Sequence, residues 1–196
     1  MPILAGVPEL LKVLAGVLPA WCDGWYLFGA QAVGVWGTPR LSADVDITIR
    51  LRVPDTLAFV NGMREAGFDL RVADAEDFAR RTRVLPFVHR ESRIPVDAVL
   101  AGPGPEEEFL SRARTVAIEG VPVPVISPED LIVTKVLAGR PKDVEDVRGI
   151  LGQRGADLDL GRVRRLLGLL EEALGQSDLL PLFEAQLSAI RRPEKS

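Results

Sequence analysis

The stretch that decides the fold is LSADVDITIRL, residues 41–51, where two aspartates interrupt an otherwise apolar strand pattern. Successive side chains of a strand point to opposite faces, so Asp44 and Asp46 share one face. The opposite face carries only apolar side chains: Val45, Ile47, Ile49 and Leu51. The stretch therefore predicts a strand over residues 44–51, with one face in a core. The other face presents two carboxylates, roughly 6.5–7 Å apart at the backbone.

A third acid occurs in the same kind of setting about fifty residues further along the chain. RIPVDAVLAG, residues 93–102, alternates as a strand and places Asp97, with Arg93 and Val99, on the face opposite Ile94, Val96, Ala98 and Leu100. Like charges brought together repel unless a cation lies between them, and oxygen-only ligands suit Mg²⁺. Two-metal sites need such a third carboxylate. The alternative is a surface strand whose alternating acids are simply solvated.

The segments on either side of these strands mix helices and strands, and the last third of the chain is helical in pattern. Expected elements are a helix over about 8–18, a strand ending at Gly29, a strand over 68–73, and an antiparallel pair formed by 83–90 and 93–102. Ser127 and Pro128 have the residue types of a helix N-cap and first turn. The fold class expected is α+β: a mixed sheet flanked by helices. Residues 1–126 would form the sheet domain with its N-terminal helix, and 127–196 a helical region within the same structural unit.

Composition excludes several classes of protein. The chain has 196 residues, is 47% hydrophobic and 27% charged, and carries a net charge of −4, values typical of a soluble globular protein. This charge gives no general reason to expect binding to nucleic acid or anionic membranes. No apolar run is long enough for a membrane span. The single cysteine, Cys22, excludes an internal disulfide and suits a reducing cytosol, so a cytoplasmic location is expected.

The order of these motifs resembles the nucleotidyltransferase superfamily, whose DNA-polymerase-β-like members carry a glycine motif, a strand with two acids and a third acid on a later strand. The corresponding segments here are FGAQAVGVWG, ADVDITI and IPVDAVL. The chain is most similar to small bacterial proteins of the AbiEii-type toxin and related families. Their glycine-to-acid signature is matched by GAQAVGVWGTPRLSADVDI, and their later helix pattern by TKVLAGRPKDVEDV. The resemblance covers roughly residues 24–152.

The resemblance implies specific roles for residues. The metal ligands implied are Asp44, Asp46 and Asp97, which would hold two Mg²⁺ ions as in the family. Asp97 would also help to deprotonate the acceptor hydroxyl. The nucleotide-binding residues implied are Gly29, Ala30, Arg40, Ser42 and Lys135, with Lys135 facing the triphosphate. Lys142, Asp143 and Asp146 match the later pattern, and the two acids alternatively pair with Arg140 or Arg148.

One departure from the family pattern affects the nucleotide site. The family has Gly-Ser, with the serine hydroxyl on phosphate, whereas this chain has Gly29-Ala30. The backbone amides after Gly29 can still bind phosphate, because a helix N-terminus directs N–H groups and a dipole at an anion. Either Gln31 or Ser42 replaces the missing hydroxyl, or nucleotide binding is weaker, or activity is lost.

The function expected from the resemblance is Mg²⁺-dependent transfer of NMP from an NTP, such as ATP, to an acceptor hydroxyl. The acceptor classes that the resemblance allows are tRNA, protein and small molecules. The protein would be the toxin of a toxin–antitoxin or phage-defence system, with an antitoxin protein as partner. The alternative is a non-catalytic nucleotidyltransferase-like module that binds a partner protein or RNA.

A cluster of basic residues lies between the second and third acids. Its members are Arg80, Arg81, Arg83, His89, Arg90 and Arg93. The cluster is either a positive wall that binds a phosphate-rich acceptor or an ordinary solvated basic face.

Overall fold

The computed structural model describes residues 6–191 of the chain, which fall into two compact units. The first unit comprises the chain up to Ala32 together with Arg40–Ile126. The second comprises Val33–Pro39 together with the chain from Ser127 onward. The three acids of the predicted metal site all belong to the first, which is called the sheet unit below; the second is called the helical unit.

In the part of the chain that the structure describes, the sheet unit contains one seven-stranded sheet. Its strands are β1 (Cys22–Phe28), β2 (Val45–Leu51), β3 (Phe68–Leu70), β4 (Val84–His89), β5 (Pro95–Leu100), β6 (Arg114–Ile118) and β7 (Val121–Val125). Their order across the sheet is β3-β4-β5-β2-β1-β7-β6. The pairs β2–β5 and β1–β7 are parallel, and the other neighbours are antiparallel. This mixed sheet with its helices confirms the predicted α+β class.

Among residues 6–191, five helices begin in the sheet unit: α1 (Val7–Trp21), α2 (Gly29–Trp36), α3 (Thr56–Glu65), α4 (Ala75–Thr82) and α5 (Pro105–Arg112). The helix α1 packs on β1 and β7. Its inner face is fully buried and consists of Val7, Leu10, Leu11, Leu14 and Leu18. Burying each such side chain stabilises the fold by about 1.5–3 kcal/mol relative to exposure. The helical spacing of these residues is why the sequence pattern predicted α1 correctly.

The helical unit contains α6 (Pro128–Ala138), α7 (Pro141–Arg154), α8 (Leu160–Leu174) and α9 (Leu179–Arg191), and α6 packs against the other three. The predicted start of α6 is confirmed: Ser127 Oγ accepts a hydrogen bond from the Asp130 N–H at 3.1 Å, and Pro128 occupies the first turn. Within residues 6–191, no helix is long and apolar enough to cross a membrane.

Four strands are shorter than the sequence pattern predicted. Two of them are β4, which covers Val84–His89, and β5, which covers Pro95–Leu100. β2 begins at Val45 rather than at Asp44. β3 was expected to continue through residue 73 but ends at Leu70. The register places Arg71 opposite Pro86, where the Arg71 N–H donates to the Pro86 carbonyl at 2.8 Å. Because proline has no N–H to return to Arg71, the ladder of paired bonds stops there.

Candidate active site

The register of the sheet brings two of the three predicted acids side by side. In the parallel pair β2–β5, Asp46 lies opposite Asp97. Residues opposite each other on neighbouring strands have side chains on the same face, with backbones about 4.8 Å apart. Both side chains are partly exposed. The sheet therefore presents two adjacent carboxylates on one face.

The third acid, Asp44, lies in the loop just before β2. Ser42 donates a short hydrogen bond from its hydroxyl to the Asp44 carboxylate. The Gln31 side-chain amide, on α2, donates to the Asp44 carbonyl oxygen at 3.3 Å. The two residues predicted to replace the missing serine hydroxyl thus both bind Asp44 here and fix the loop in front of β2.

Gly29 begins α2 directly against Asp46. Its φ is +65°, a left-handed conformation that favours glycine. A Cβ at this position would lie 1.9 Å from Asp46 Oδ2 and 2.8 Å from Asp46 Cγ. The first turn of α2 consequently begins close to the Asp46 carboxylate.

The remaining predicted nucleotide-binding residues of the sheet unit lie in the first turn of α2 and in the loop that follows this helix. Ala30 follows Gly29 and is 5% exposed, so its methyl group is buried. Arg40 lies partly exposed in the loop between α2 and β2. The roles assigned to Gly29, Ala30, Arg40 and Ser42 stay predictions.

The sequence pattern missed an arginine at this site, Arg71. Its guanidinium forms a short ion pair with Asp97, and its Nε donates to the Phe87 carbonyl oxygen at 3.0 Å. The registers of β3–β4 and β4–β5 explain how the Arg71 side chain reaches Asp97, because Arg71, Pro86 and Asp97 lie in one row across the sheet. Alignment of β3, β4 and β5 residue by residue was the signal that could have found this pair.

A cavity of about 340 Å³ lies beside this ion pair. Its lining includes Arg71 and Asp97 together with the apolar side chains of Val72, Phe78, Val84 and Pro86.

The donor chemistry of the acids fits Mg²⁺, but their arrangement in this structure is incomplete. Carboxylate oxygens are ligands that Mg²⁺ prefers, and they are carried here by Asp46 on β2, by Asp97 on β5 and by Asp44 in the loop before β2. Among residues 6–191, no three histidine, cysteine or acidic side chains are grouped closely enough to hold a metal ion. Asp97, the third predicted ligand, is paired with Arg71 instead.

Lys135 belongs to a buried ion-pair network of the helical unit. Its Nζ lies 3.1 Å from Asp143 Oδ1 and 2.7 Å from Asp146 Oδ2, and Arg140 Nε lies 2.5 Å from Asp143 Oδ2. Burial alone raises the pKa of the Asp143 carboxyl. The hydrogen bonds and charges of Arg140 and Lys135 outweigh burial and hold that pKa below its usual value.

The network defines what these residues do in the helical unit. Asp143 pairs with Arg140, as the alternative from the sequence anticipated, and α6 is tied to α7 through Lys135. The predicted contact of Lys135 with a triphosphate stays a prediction, and so does any catalytic role of Lys142.

The basic cluster is largely neutralised by neighbouring acids. Arg80 and Arg81 both pair with Asp77, at 2.5 and 3.0 Å. Arg83 pairs with Glu106 at 2.8 Å, and Arg90 pairs with Asp69 at 2.9 Å. These pairs favour a solvated face over a positive wall for RNA.

His89 has a structural environment. It is 5% exposed, and its Nδ1 lies 2.9 Å from Ser92 Oγ. This hydrogen bond stabilises the turn that joins β4 to β5.

Known structures share this fold. An antigenic nucleotidyltransferase-like protein from Paracoccidioides brasiliensis aligns with a TM-score of 0.56 at 18% identity, over 93% of this chain and 95% of that one. The antibiotic-resistance factor ANT(2'')-Ia aligns with a TM-score of 0.55 at 15% identity, over 86% of this chain and 91% of its own. The fold is thus that of a nucleotidyltransferase.

The match to a sequence family covers less of the chain than the structural alignments do. Residues 73–171, half of the chain, match the family described as "Nucleotidyltransferase of unknown function (DUF6036)", and the chain belongs to that family. The matched segment includes Asp97 and Lys135 and begins after Asp44 and Asp46. The superfamily expected from the sequence is thereby confirmed. No curated protein shows significant sequence similarity to the chain.

Proposed function

We propose that the protein is a Mg²⁺-dependent nucleotidyltransferase, which transfers NMP from an NTP to an acceptor hydroxyl. The observation that carries this proposal is the register of the parallel pair β2–β5, which places Asp46 beside Asp97. Gly29 adds support, because α2 begins so close that a side chain there would collide with the Asp46 carboxylate.

The chain's own residues have distinct roles in this proposal. The first amides of α2 would bind the phosphates of the nucleotide, since the helix N-terminus favours an anion. Asp44 and Asp46 would hold Mg²⁺, joined by Asp97. When bound, Mg²⁺ polarises the phosphate and stabilises negative charge on the attacking and leaving oxygens.

The reaction forms one bond and breaks one. The acceptor oxygen bonds to the α-phosphorus, and the bond from that phosphorus to the pyrophosphate oxygen breaks. Asp97 would accept the proton of the acceptor hydroxyl. Its position at the edge of the cavity of about 340 Å³ leaves space for an acceptor beside it.

Binding of Mg²⁺ and ATP tests the proposal without knowledge of the acceptor. Isothermal titration calorimetry would compare wild type with Asp46→Asn, which keeps the size of the side chain and removes one ligand charge. The matched control is Asp77→Asn, on α4, which removes an aspartate already paired with two arginines. We expect Asp46→Asn to lose Mg²⁺-dependent ATP binding and Asp77→Asn to retain it. Equal binding by all three proteins would refute the assignment of the site.

Labelled ATP, with a panel of acceptors, tests the reaction itself. The structure of ANT(2'')-Ia in complex with adenylyl-2''-tobramycin makes small-molecule hydroxyls the first class to try. Total tRNA and whole-cell protein form the other two arms. Transfer of label by wild type but not by Asp46→Asn is the expected result.

A non-catalytic nucleotidyltransferase-like module that binds a partner protein or RNA is the second candidate. Two observations favour it: Ala30 removes a hydroxyl from the phosphate site, and Asp97 is paired with Arg71. Calorimetry that detects no ATP binding in the presence of Mg²⁺ would favour this candidate over the first.

The toxin role, the antitoxin partner and the cytoplasmic location are finer parts of the proposal. Growth arrest on expression of wild type, and its absence with Asp46→Asn, is the result expected of a catalytic toxin. Relief of that arrest by the product of a neighbouring gene would identify an antitoxin. Fractionation of cells checks the location.

A further inference from the structure

The strand β6 lies at one edge of the sheet, and its neighbour β7 fixes the direction of its backbone groups. The Ile126 N–H, just after β7, donates to the Leu27 carbonyl oxygen at 3.0 Å and so points toward β1. Backbone groups point to alternate sides along a strand, so those of Pro122 and Pro124 also face β1, and those of Val123 face β6. This arrangement keeps the β6–β7 ladder complete, because a proline has no N–H to give to it.

The outward backbone groups of β6 are those of Thr115 and Ala117. The register pairs Val116 with Val123, so Val116 exchanges its hydrogen bonds with β7. By alternation, the N–H and C=O groups of Thr115 and Ala117 point away from β7. Both residues are exposed, and among residues 6–191 no other segment hydrogen-bonds to these groups. This edge of the sheet therefore presents backbone donors and acceptors to solvent.

The strand β6 lacks the features that usually protect an exposed edge. Proteins shield edge strands by short length, charged side chains, proline or a covering segment. The opposite edge, β3, is three residues long and carries Asp69. In contrast, β6 has five residues, and from Thr115 to Ile118 it contains neither a charge nor a proline. Its threonine, valine and isoleucine also favour extended structure, so β6 is suited to pairing with another strand.

A second copy of β6 complements this edge. In an antiparallel pair centred on Val116, Thr115 lies opposite Ala117 of the second copy, and each such pair exchanges two hydrogen bonds. All the outward groups are then satisfied at once. The ends of the strand are also complementary in charge, with Arg114 at the start and Glu119 directly after the end. An antiparallel copy places the basic end of each strand beside the acidic end of the other, whereas a parallel copy would join like ends.

We propose that the protein forms a symmetric dimer in which two β6 strands join edge to edge and unite the two sheets. The contact uses the same strand of both copies, so it closes at two copies. A strand junction of this length alone is smaller than the roughly 1,200–2,000 Å² of a stable interface, so the dimer is weak and depends on concentration. The inference uses only the sheet unit and does not rest on the proposed catalytic function.

Analytical ultracentrifugation over a range of protein concentrations, up to millimolar, tests the dimer. Ala117→Pro removes an outward N–H and leaves the bonds of β6 to β7 in place, because these come from the alternate residues. Ala117→Ser is the matched control, since it keeps the N–H at the same exposed position. We expect Ala117→Pro to dimerise at least about tenfold more weakly than wild type, because two hydrogen bonds are lost per dimer. Ala117→Ser should match wild type.

Charge reversal tests the direction of the pairing. Arg114→Glu or Glu119→Arg alone would give both ends of the strand the same sign and should weaken the dimer about two- to fivefold. The double variant again has ends of opposite sign, so it should recover wild-type dimerisation. A double variant that dimerises no better than either single variant would contradict antiparallel self-pairing.

Hydrogen exchange of the wild type gives a measurement that does not depend on the folding of a variant. The amides of Thr115 and Ala117 should exchange fast in dilute solution and slowly in concentrated solution, while the amide of Val116 exchanges slowly in both. A monomer at every concentration overturns the proposal, and it does so even if another protein, once added, protects these amides. Equal dimerisation by Ala117→Pro and wild type would place the contact elsewhere and also overturns it.

Discussion

Replacement of Gly29 by alanine tests the geometry on which the candidate site depends. Two costs are expected. The left-handed conformation at φ +65° costs an alanine roughly 1–2 kcal/mol. The new methyl group would also lie 1.9 Å from Asp46 Oδ2, so the carboxylate must move. Forcing a group into a packed position costs about 1–3 kcal/mol.

A matched substitution separates these two costs. Gly120, in the β6–β7 turn of the same unit, has φ +83°, and an added Cβ there would meet nothing within 4 Å. Gly120→Ala therefore reports the conformational cost alone. We expect Gly29→Ala to lower the free energy of unfolding by about 1–3 kcal/mol more than Gly120→Ala does.

Urea unfolding followed by circular dichroism measures the difference. The double variant Gly29→Ala/Asp46→Ala should regain part of the lost stability, since the carboxylate is gone and only the two Cβ atoms, 3.0 Å apart, remain close. If Gly29→Ala cost no more than Gly120→Ala, or if the double variant regained nothing, the close approach of α2 to Asp46 would be refuted.

Further expectations concern the buried charges and the thiol. Lys135→Met should lower the free energy of unfolding by about 3–5 kcal/mol, measured in urea, because it removes the cation shared by the buried carboxylates of Asp143 and Asp146 and leaves Asp143 with Arg140. The lowered pKa of Asp143 contributes stability that is present above its unfolded value near 3.8 and is lost as the pH falls through the folded pKa. Acid unfolding should therefore steepen below about pH 4 in wild type and less so in Asp143→Asn. Burial raises the pKa of Cys22 to about 12, with Arg52 lowering it and Asp23 raising it to a smaller extent, so the thiol stays protonated below that pH. Alkylation at pH 8 should be slow in the folded protein and fast in urea; fast reaction without urea would contradict the burial of Cys22.

The elements of the fold followed largely from local pattern. The apolar spacing of α1, the Ser127 cap of α6 and the alternation in β2 and β5 each depend on neighbouring residues in the chain. Such signals predict which segments are helices or strands and which face is buried. They predicted that Asp44 and Asp46 share the polar face of one strand and that Asp97 lies on the polar face of another. This prediction led to the hypothesis of a metal site.

The sequence by itself determined the alternation of β2 and β5 and the glycine before α2, and it pointed to the superfamily. The metal site that it suggested stays a prediction. Only the tertiary structure determined which side chains Asp97 and Lys135 contact. Asp97 lies opposite Asp46 because β2 and β5 pair in parallel in this register. On its other side Asp97 lies opposite Pro86, and the Arg71 guanidinium reaches it across that residue. Lys135 forms ion pairs with Asp143 and Asp146, two acids that the sequence pattern had matched to the family. These contacts join residues far apart in the chain, and strand register and helix packing, which fix them, are properties of the whole fold rather than of any local segment.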